Sequence, residues 1–224
     1  MHNQDVVSDF YENCYERIFN STGLVSWSYR LTHRQMEKGM SAPSGASILE
    51  VGAGTGEHLS YVDPDFDRYV MVDLFGPPAN PSWEGDPRIT WVTGDISSDL
   101  QFEGCFDRII SMCVFHHLAE PAAAMQNIRR WLKPGGVFTL FLPSDPGIFN
   151  RLNRRVFVMP KARRLGFRDY DLMNAREHRN HYWSLRTELL EQFAGDRIQR
   201  QYKPFGIPSG NLSTHSFWQI TKSN

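Results

Sequence analysis

The stretch Leu49–Val62, LEVGAGTGEHLSYV, decides how the rest of the chain is read. An apolar run enters three glycines in five positions, Gly52, Gly54 and Gly56, and then what reads as the start of a helix. Glycine admits positive φ and lets a ligand lie against the main chain. In open α/β sheets ligands bind outside the carboxyl ends of the strands, so a nucleoside-bearing cofactor is the expected occupant of this loop.

Outward from the loop the chain alternates between two periods. SILEV (47–51), YVMVD (69–73), ITWVTGD (89–95), FDRIIS (106–111) and GVFTLFL (136–142) are short apolar runs of the kind buried on both faces. Between the last two, Pro121 suits a first helical turn, Ala124, Ile128 and Trp131 share a face, and Pro134 with two glycines ends the helix. SLRTELLEQF (184–193) reads as a further helix, and RIQRQYKPF with HSFWQI as a closing strand pair. Strands alternating with helices predict an α/β fold with a doubly wound, mostly parallel, Rossmann-like sheet of seven strands.

The flanks are helical. Val7, Phe10, Cys14 and Ile18 fall on one stripe that NSTG (20–23) stops, a second helix is expected from Trp27 to Lys38 ending at Gly39, and SAPSGAS (41–47) is a loop. With 224 residues the chain is expected to be one domain, residues 1–40 forming a helical cap and 144–183 an insertion over the carboxyl edge of the sheet. No apolar run reaches the roughly 18–20 residues of a membrane span, and the acidic, amphipathic start resembles neither a secretory signal nor a transit peptide, so a cytoplasmic location is expected. Cys14, Cys105 and Cys113 are odd in number and lack CxxC spacing, which argues against a disulfide framework and a zinc ribbon.

Two carboxylates end strands next to the loop. Asp73 closes the second strand, where it can accept from both ribose hydroxyls, and Asp95 the third, where it can accept from an exocyclic amine such as that of adenine. The spacing GxGxG, with Glu57 where a dinucleotide fingerprint has its third glycine, disfavours a nicotinamide dehydrogenase, because a glutamate there meets a pyrophosphate badly.

Taken together, ILEVGAGTGEH, VMVDL, VTGDIS, FDRIISMCVFHHL and WLKPGGVFTLFLP, in that order over about residues 45–143, resemble the motifs of the class I S-adenosylmethionine-dependent methyltransferases, in the small-molecule branch that includes quinone-biosynthesis enzymes. The resemblance implies S-adenosylmethionine as cofactor and a pocket lined by Glu50, Gly52, Ala53, Gly54, Asp73, Leu74, Asp95, Ile96 and Ser111, with Gly56 shaping the loop and Tyr15 reaching in from an N-terminal segment that closes over it. One departure stands out: LFGPPANPSWEGDPR (74–88) carries four prolines where the family has a helix, so that helix is expected to be short or missing.

Methyl transfer from a sulfonium mainly requires a nucleophile held in line and water excluded; an oxygen nucleophile also gains from a base near neutral pKa. His117, beside His116 after the fourth strand, and His178 and His181, three apart in EHRNHYW, are the candidates. No Cys or carboxylate set completes a zinc site around the latter pair, and no metal is expected. From Arg151 to Trp183 nine Lys or Arg stand against three Asp or Glu, interleaved with aromatics. That pattern suits a small or lipid-linked acceptor bearing phosphate or carboxylate, with O-methylation favoured; it is also compatible with peripheral membrane contact or a solvated lid. Nucleic acid is disfavoured by a pI of 6.7. The alternative to an enzyme is a catalytically silent S-adenosylmethionine-binding sensor or partner subunit. The sequence does not set the oligomeric state.

Overall fold

The computed structural model describes residues 6–19, 22–38, 43–63, 65–79 and 81–223. Of the expected features, the turn at 20–23 and the loop at 41–47 fall partly, and residues 1–5 and Gly39 wholly, outside these. Seven strands form one sheet: β1 (Ala46–Val51), β2 (Phe66–Asp73), β3 (Ile89–Thr93), β4 (Phe106–Met112), β5 (Leu132–Pro143), β6 (Arg197–Lys203) and β7 (His215–Thr221). Their spatial order is β3-β2-β1-β4-β5-β7-β6, with β1 to β5 parallel and β7 antiparallel to both β5 and β6. The order reverses between β1 and β4, which pair Val51 with Ser111, so the loops after these two strands are neighbours at the carboxyl edge.

Both faces of the sheet are covered. On one, helix Pro121–Trp131 buries Ala124, Met125, Ile128 and Trp131 and helix Tyr182–Gln192 buries Leu185 and Leu189 against Leu49, Val51, Ile109, Phe138 and Leu140. On the other, helix Leu24–Glu37 places Met36 among Ile48, Tyr69, Ile110 and Phe217. The strand entering β5 pairs already at Leu132, ahead of the expected start at Gly136, with a register break before Arg108 pairs Val137. After the glycine loop there is only a single 3₁₀ turn, Glu57–Tyr61, in place of a full helix.

Residues 74–88 contain no helix among the described positions, in keeping with their prolines. Trp83 instead stacks flat on Trp91 of β3 with ring centroids 5.9 Å apart. A cavity of about 540 Å³ opens here, bounded by Thr55 and Gly56 on the loop side and by Glu84, Asp86 and Arg88 on the other.

The insertion is helical: a run from Ile148 to Arg164 with a π turn over Arg154–Val158, then Tyr170–Glu177. Its apolar positions do not face the sheet. Val158, Met159, Ala162, Phe167, Tyr170 and Met173 form a separate small core with Phe10, Cys14 and Ile18 of the N-terminal helices. Lys161 fastens the two segments, its Nζ donating to the Ile18 carbonyl at 2.7 Å and to that of Thr22 at 3.2 Å, as expected of a cation at a helix C-terminus.

One polar cluster is buried under the sheet. Arg108 of β4 donates through both terminal nitrogens to Glu37 at 2.6 and 2.7 Å, Glu37 accepts from His58 at 2.8 Å, and His58 meets His33 Nδ1 to Nδ1 at 2.8 Å. Burial alone would raise the Glu37 carboxyl, but the bonds from His58 and Arg108 outweigh it and hold the pKa at about 2, against an ordinary 4.5. Burial, with His58 alongside, pushes His33 down from 6.5 to about 3. Close by, Glu50 is buried and accepts from the Tyr69 hydroxyl at 2.8 Å, and burial lifts its carboxyl to about 7.

These shifts set an acid limit. Below pH 6.5 the unfolded chain protonates His33 while the folded chain does not until about 3, so stability falls as pH drops. Each such group contributes a slope of about 1.4 kcal/mol per pH unit. Glu50, raised rather than lowered, cancels one such histidine between 4.5 and about 7, but His215, which burial holds at about 4, keeps the net slope downward; below 4.5 the opposition of Glu50 ends and Glu37 adds to the loss down to about 2. Urea denaturation is therefore expected to show stability declining below pH 6.5 and steepening below 4.5. A flat profile between pH 7 and 4 would contradict the buried neutral histidine.

Candidate active site

The glycine loop crosses the end of β1 with φ of +69° at Gly52, +58° at Gly54 and +74° at Gly56. A Cβ on Gly52 would stand 2.2 Å from Cγ2 of Val114, so this glycine lets the β1 loop press against the β4 loop. A Cβ on Gly54 would meet nothing within 4 Å among the described residues, so this peptide faces open space there. Its N–H donates to Asp73 Oδ2 at 2.8 Å, and the Phe75 N–H donates to Oδ1 at 3.1 Å.

The residues present suit an adenosyl group. Two bonds leave the Asp73 carboxylate further lone pairs for ribose hydroxyls. Leu74 and Phe75 beside it are 60% and 77% exposed, large apolar side chains placed where a flat base can cover them. Ser111 is wholly buried near the end of β4 and its Oγ has no hydrogen-bond partner among the described residues. Ala53 and Ile96 are buried, and Asp95 is exposed with Oδ1 accepting the Ser97 N–H at 2.8 Å. Glu50 lies beneath the loop in the contact with Tyr69 already described. Tyr15 is half-buried, its hydroxyl 3.1 Å from that of Tyr29.

The histidines gather after β4 at the same carboxyl edge. Cys113, at the turn out of β4, takes a φ of +59°, a strained conformation for a residue with a Cβ and one that clusters at functional turns. The turn delivers His116, buried, and His117, half-buried, with ring centroids 3.9 Å apart. His178 arrives from the end of helix Tyr170–Glu177, 4.3 Å from His116 and 5.2 Å from His117. Asn180 fastens this approach: its N–H donates to the His116 carbonyl at 3.1 Å and its side-chain amide to those of Phe115 and Leu118 at 3.0 and 2.7 Å. His181 is exposed at the entry to helix Tyr182–Gln192, so it and His178 do not share a helical face.

Asp145, just past β5, organises the cluster. Its Oδ2 accepts from His178 Nδ1 at 2.6 Å and also from Arg154. Burial would raise Asp145, but His178 and Arg154 hold it below the usual carboxylate range. Burial lowers His178 against the pull of Asp145, and burial with the neighbouring histidines and Arg154 drives His116 well below its usual value. His117 Nδ1 lies 3.1 Å from the Glu177 carbonyl and 3.2 Å from its Oε2, and that hydrogen bond holds Glu177 low. Of the basic residues in the insertion, Arg151, Arg155, Arg163, Arg164 and Arg168 are exposed, whereas Arg154 turns inward. Asp145, Glu177 and the inward setting of Arg154 carry no local sequence signal; only the fold brings them to His178.

Residues 49–140 match the methyltransferase domain family. The chain is 33% identical over 110 residues to a PKS-NRPS hybrid synthetase, cheA, of Chaetomium globosum, which covers 44% of this chain and 2% of that protein. It is 24% identical over 127 residues to phosphoethanolamine N-methyltransferase 1 of Triticum aestivum, covering 54% of this chain and 25% of that one. The chain thus spans a small part of the length of these relatives. In fold it is similar to the N-methyltransferase NodS of Bradyrhizobium japonicum in complex with S-adenosyl-L-homocysteine, with a TM-score of 0.62 at 17% identity over 98% of this chain and 99% of that one. The matched methyltransferase domain thus lies on the reversing parallel sheet and its glycine loop, in a fold that the chain shares with an S-adenosyl-L-homocysteine-bound methyltransferase.

Proposed function

We propose that the chain methylates a small or lipid-linked acceptor bearing phosphate or carboxylate, on oxygen, with the N-terminal helices and residues 144–183 covering the reacting groups. The observation that carries this reading is the pairing of His178 with Asp145, which follows β5 at the same carboxyl edge of the sheet as the glycine loop. S-adenosylmethionine, when bound, supplies a methyl carbon made electrophilic by its sulfonium. Asp73 holds the ribose hydroxyls, Asp95 the adenine amine, Leu74 and Ile96 the faces of the base, and the backbone of Gly52, Ala53 and Gly54 the remainder, with Glu50 and Ser111 behind and Tyr15 closing over. Asp145 fixes Nδ1 of His178, leaving Nε2 to take the acceptor's proton; His117, oriented by Glu177, is the second candidate base. His181 stands apart, exposed.

Oxygen is favoured on chemical grounds, since a hydroxyl must lose a proton to become a strong nucleophile whereas a neutral amine need not. Arg154 uses one nitrogen on Asp145 and keeps donors for an anion. An acceptor carrying phosphate also accords with the name of the phosphoethanolamine N-methyltransferase relative. A panel of hydroxylated carboxylates and phosphate monoesters tests this. On a turned-over acceptor, His178→Ala is expected to lower kcat by about 10²–10⁴-fold, the usual contribution of a positioned base. Arg154→Ala is expected to raise KM about tenfold or more, roughly the worth of one charge-assisted hydrogen bond. An unchanged kcat removes the base, and an unchanged KM removes the anionic acceptor.

A further inference from the structure

We propose that His116, His117 and His178 form a binding site for a divalent transition-metal ion of the zinc class, one ring nitrogen coming from each. This goes beyond methyl transfer and does not rest on it. One nitrogen of each of the three lies within 4.8 Å of the others. They come from two segments, the turn after β4 and the end of the insertion, and Asn180 holds these together through backbone contacts independent of any ion.

Two features separate this cluster from a chance meeting of histidines. The first is an outer shell of carboxylates. His178 turns Nδ1 to Asp145 at 2.6 Å, and His117 turns Nδ1 to the Glu177 carbonyl and carboxylate at 3.1 and 3.2 Å. A ring that donates its Nδ1–H outward presents the Nε2 lone pair inward, and the carboxylate makes that nitrogen a better ligand; metal-bound histidines are held in this way. The second is His116, 4% exposed, whose Nδ1 is buried with no hydrogen-bond partner among the described residues. A buried polar atom left unmatched calls for an explanation, and an ion at the cluster gives one.

The donor set chooses the ion. Neutral imidazoles suit zinc, copper, nickel and iron, whereas magnesium and calcium want oxygen. Zinc–nitrogen bonds of about 2.0–2.1 Å set the nitrogens of a tetrahedral site roughly 3.4 Å apart, so the rings close inward by about 1 Å on binding. Three protein ligands leave a fourth position open to water or to an oxygen of a small molecule. A bound ion occupies the Nε2 lone pair that proton abstraction uses, so the loaded cluster and the free base are alternative states of one site. It also ties the insertion to the turn after β4.

The test is titration of the full chain, freed of metal by a chelator, with Co²⁺ followed by its visible absorption, then competition with Zn²⁺. The expected result is one ion per chain, with an absorption typical of tetrahedral or five-coordinate nitrogen ligation that Zn²⁺ abolishes. His178→Ala and His116→Ala should each weaken uptake at least 100-fold, and Asp145→Asn about 10–100-fold, the range for loss of an outer-shell partner. Circular dichroism establishes that each variant is folded. Absence of one-to-one uptake by the wild type overturns the site, as does uptake that folded His116 and His178 variants retain in full. S-adenosylmethionine titration of the same samples keeps the two readings apart, since intact cofactor binding without ion uptake sinks the cation site alone.

Discussion

Arg108→Met is expected to lower the stability of the protein by about 3–5 kcal/mol, the cost of leaving a buried partner charge uncompensated. Arg108 is 2% exposed within β4, and both its terminal nitrogens are committed to Glu37 at the end of helix Leu24–Glu37. Methionine fills most of the volume but supplies no charge, so Glu37 must either stay ionised without its bidentate partner or take up a proton. His58 remains at 2.8 Å and limits the loss. The double variant Arg108→Met with Glu37→Leu should recover much of it, because a buried pair replaced as a unit by apolar groups is often close to neutral. Denaturant unfolding of the two variants decides the matter. A single variant within about 1 kcal/mol of wild type, a change ordinary for surface sites, would show that the pair is not the fastening inferred here.

The second large effect is at the glycine loop. Gly52→Ala is expected to cost about 2–5 kcal/mol, combining roughly 1–2 for a left-handed residue with a Cβ and about 1–3 for overpacking. The atom in the way is Cγ2 of Val114 at 2.2 Å, and a β-branched side chain has little freedom to step aside. Gly54→Ala differs in kind. Its φ of +58° imposes the same backbone strain, but its Cβ meets nothing within 4 Å among the described residues, so the fold should survive with a loss of about 1–2 kcal/mol. The added methyl projects into the space assigned to the cofactor, and S-adenosylmethionine affinity should fall in a protein that is still folded. Equal stability losses in the two variants would contradict the distinction between a packing glycine and a binding glycine.

The difference between these two glycines was not legible in the sequence, where both are simply part of GAGTG. The five parallel strands were, because each is an apolar run bounded by turn residues, and so was the missing helix at 74–88, whose prolines remove the donors a helix needs. The insertion escaped because its periodicity points at a core of its own: Val158, Ala162 and Phe167 pack on Phe10 and Ile18, not on the sheet. Arg108 stands in the middle of FDRIIS, which reads only as an apolar run, so its burial goes unread. Its partner, Glu37, lies 71 positions away, and no local pattern links them. His178 was singled out next to His181, three residues on; the fold instead joins it to His116, His117 and Asp145, all far along the chain.

Calorimetric titration of the wild type and of Asp73→Ala with S-adenosylmethionine tests the central claim most directly. The account predicts one-to-one binding with Kd of about a micromolar, some −8 kcal/mol, weakened by about 1–3 kcal/mol when the ribose acceptor is removed. Absence of binding by the wild type, or an affinity that Asp73→Ala leaves unchanged, would contradict it.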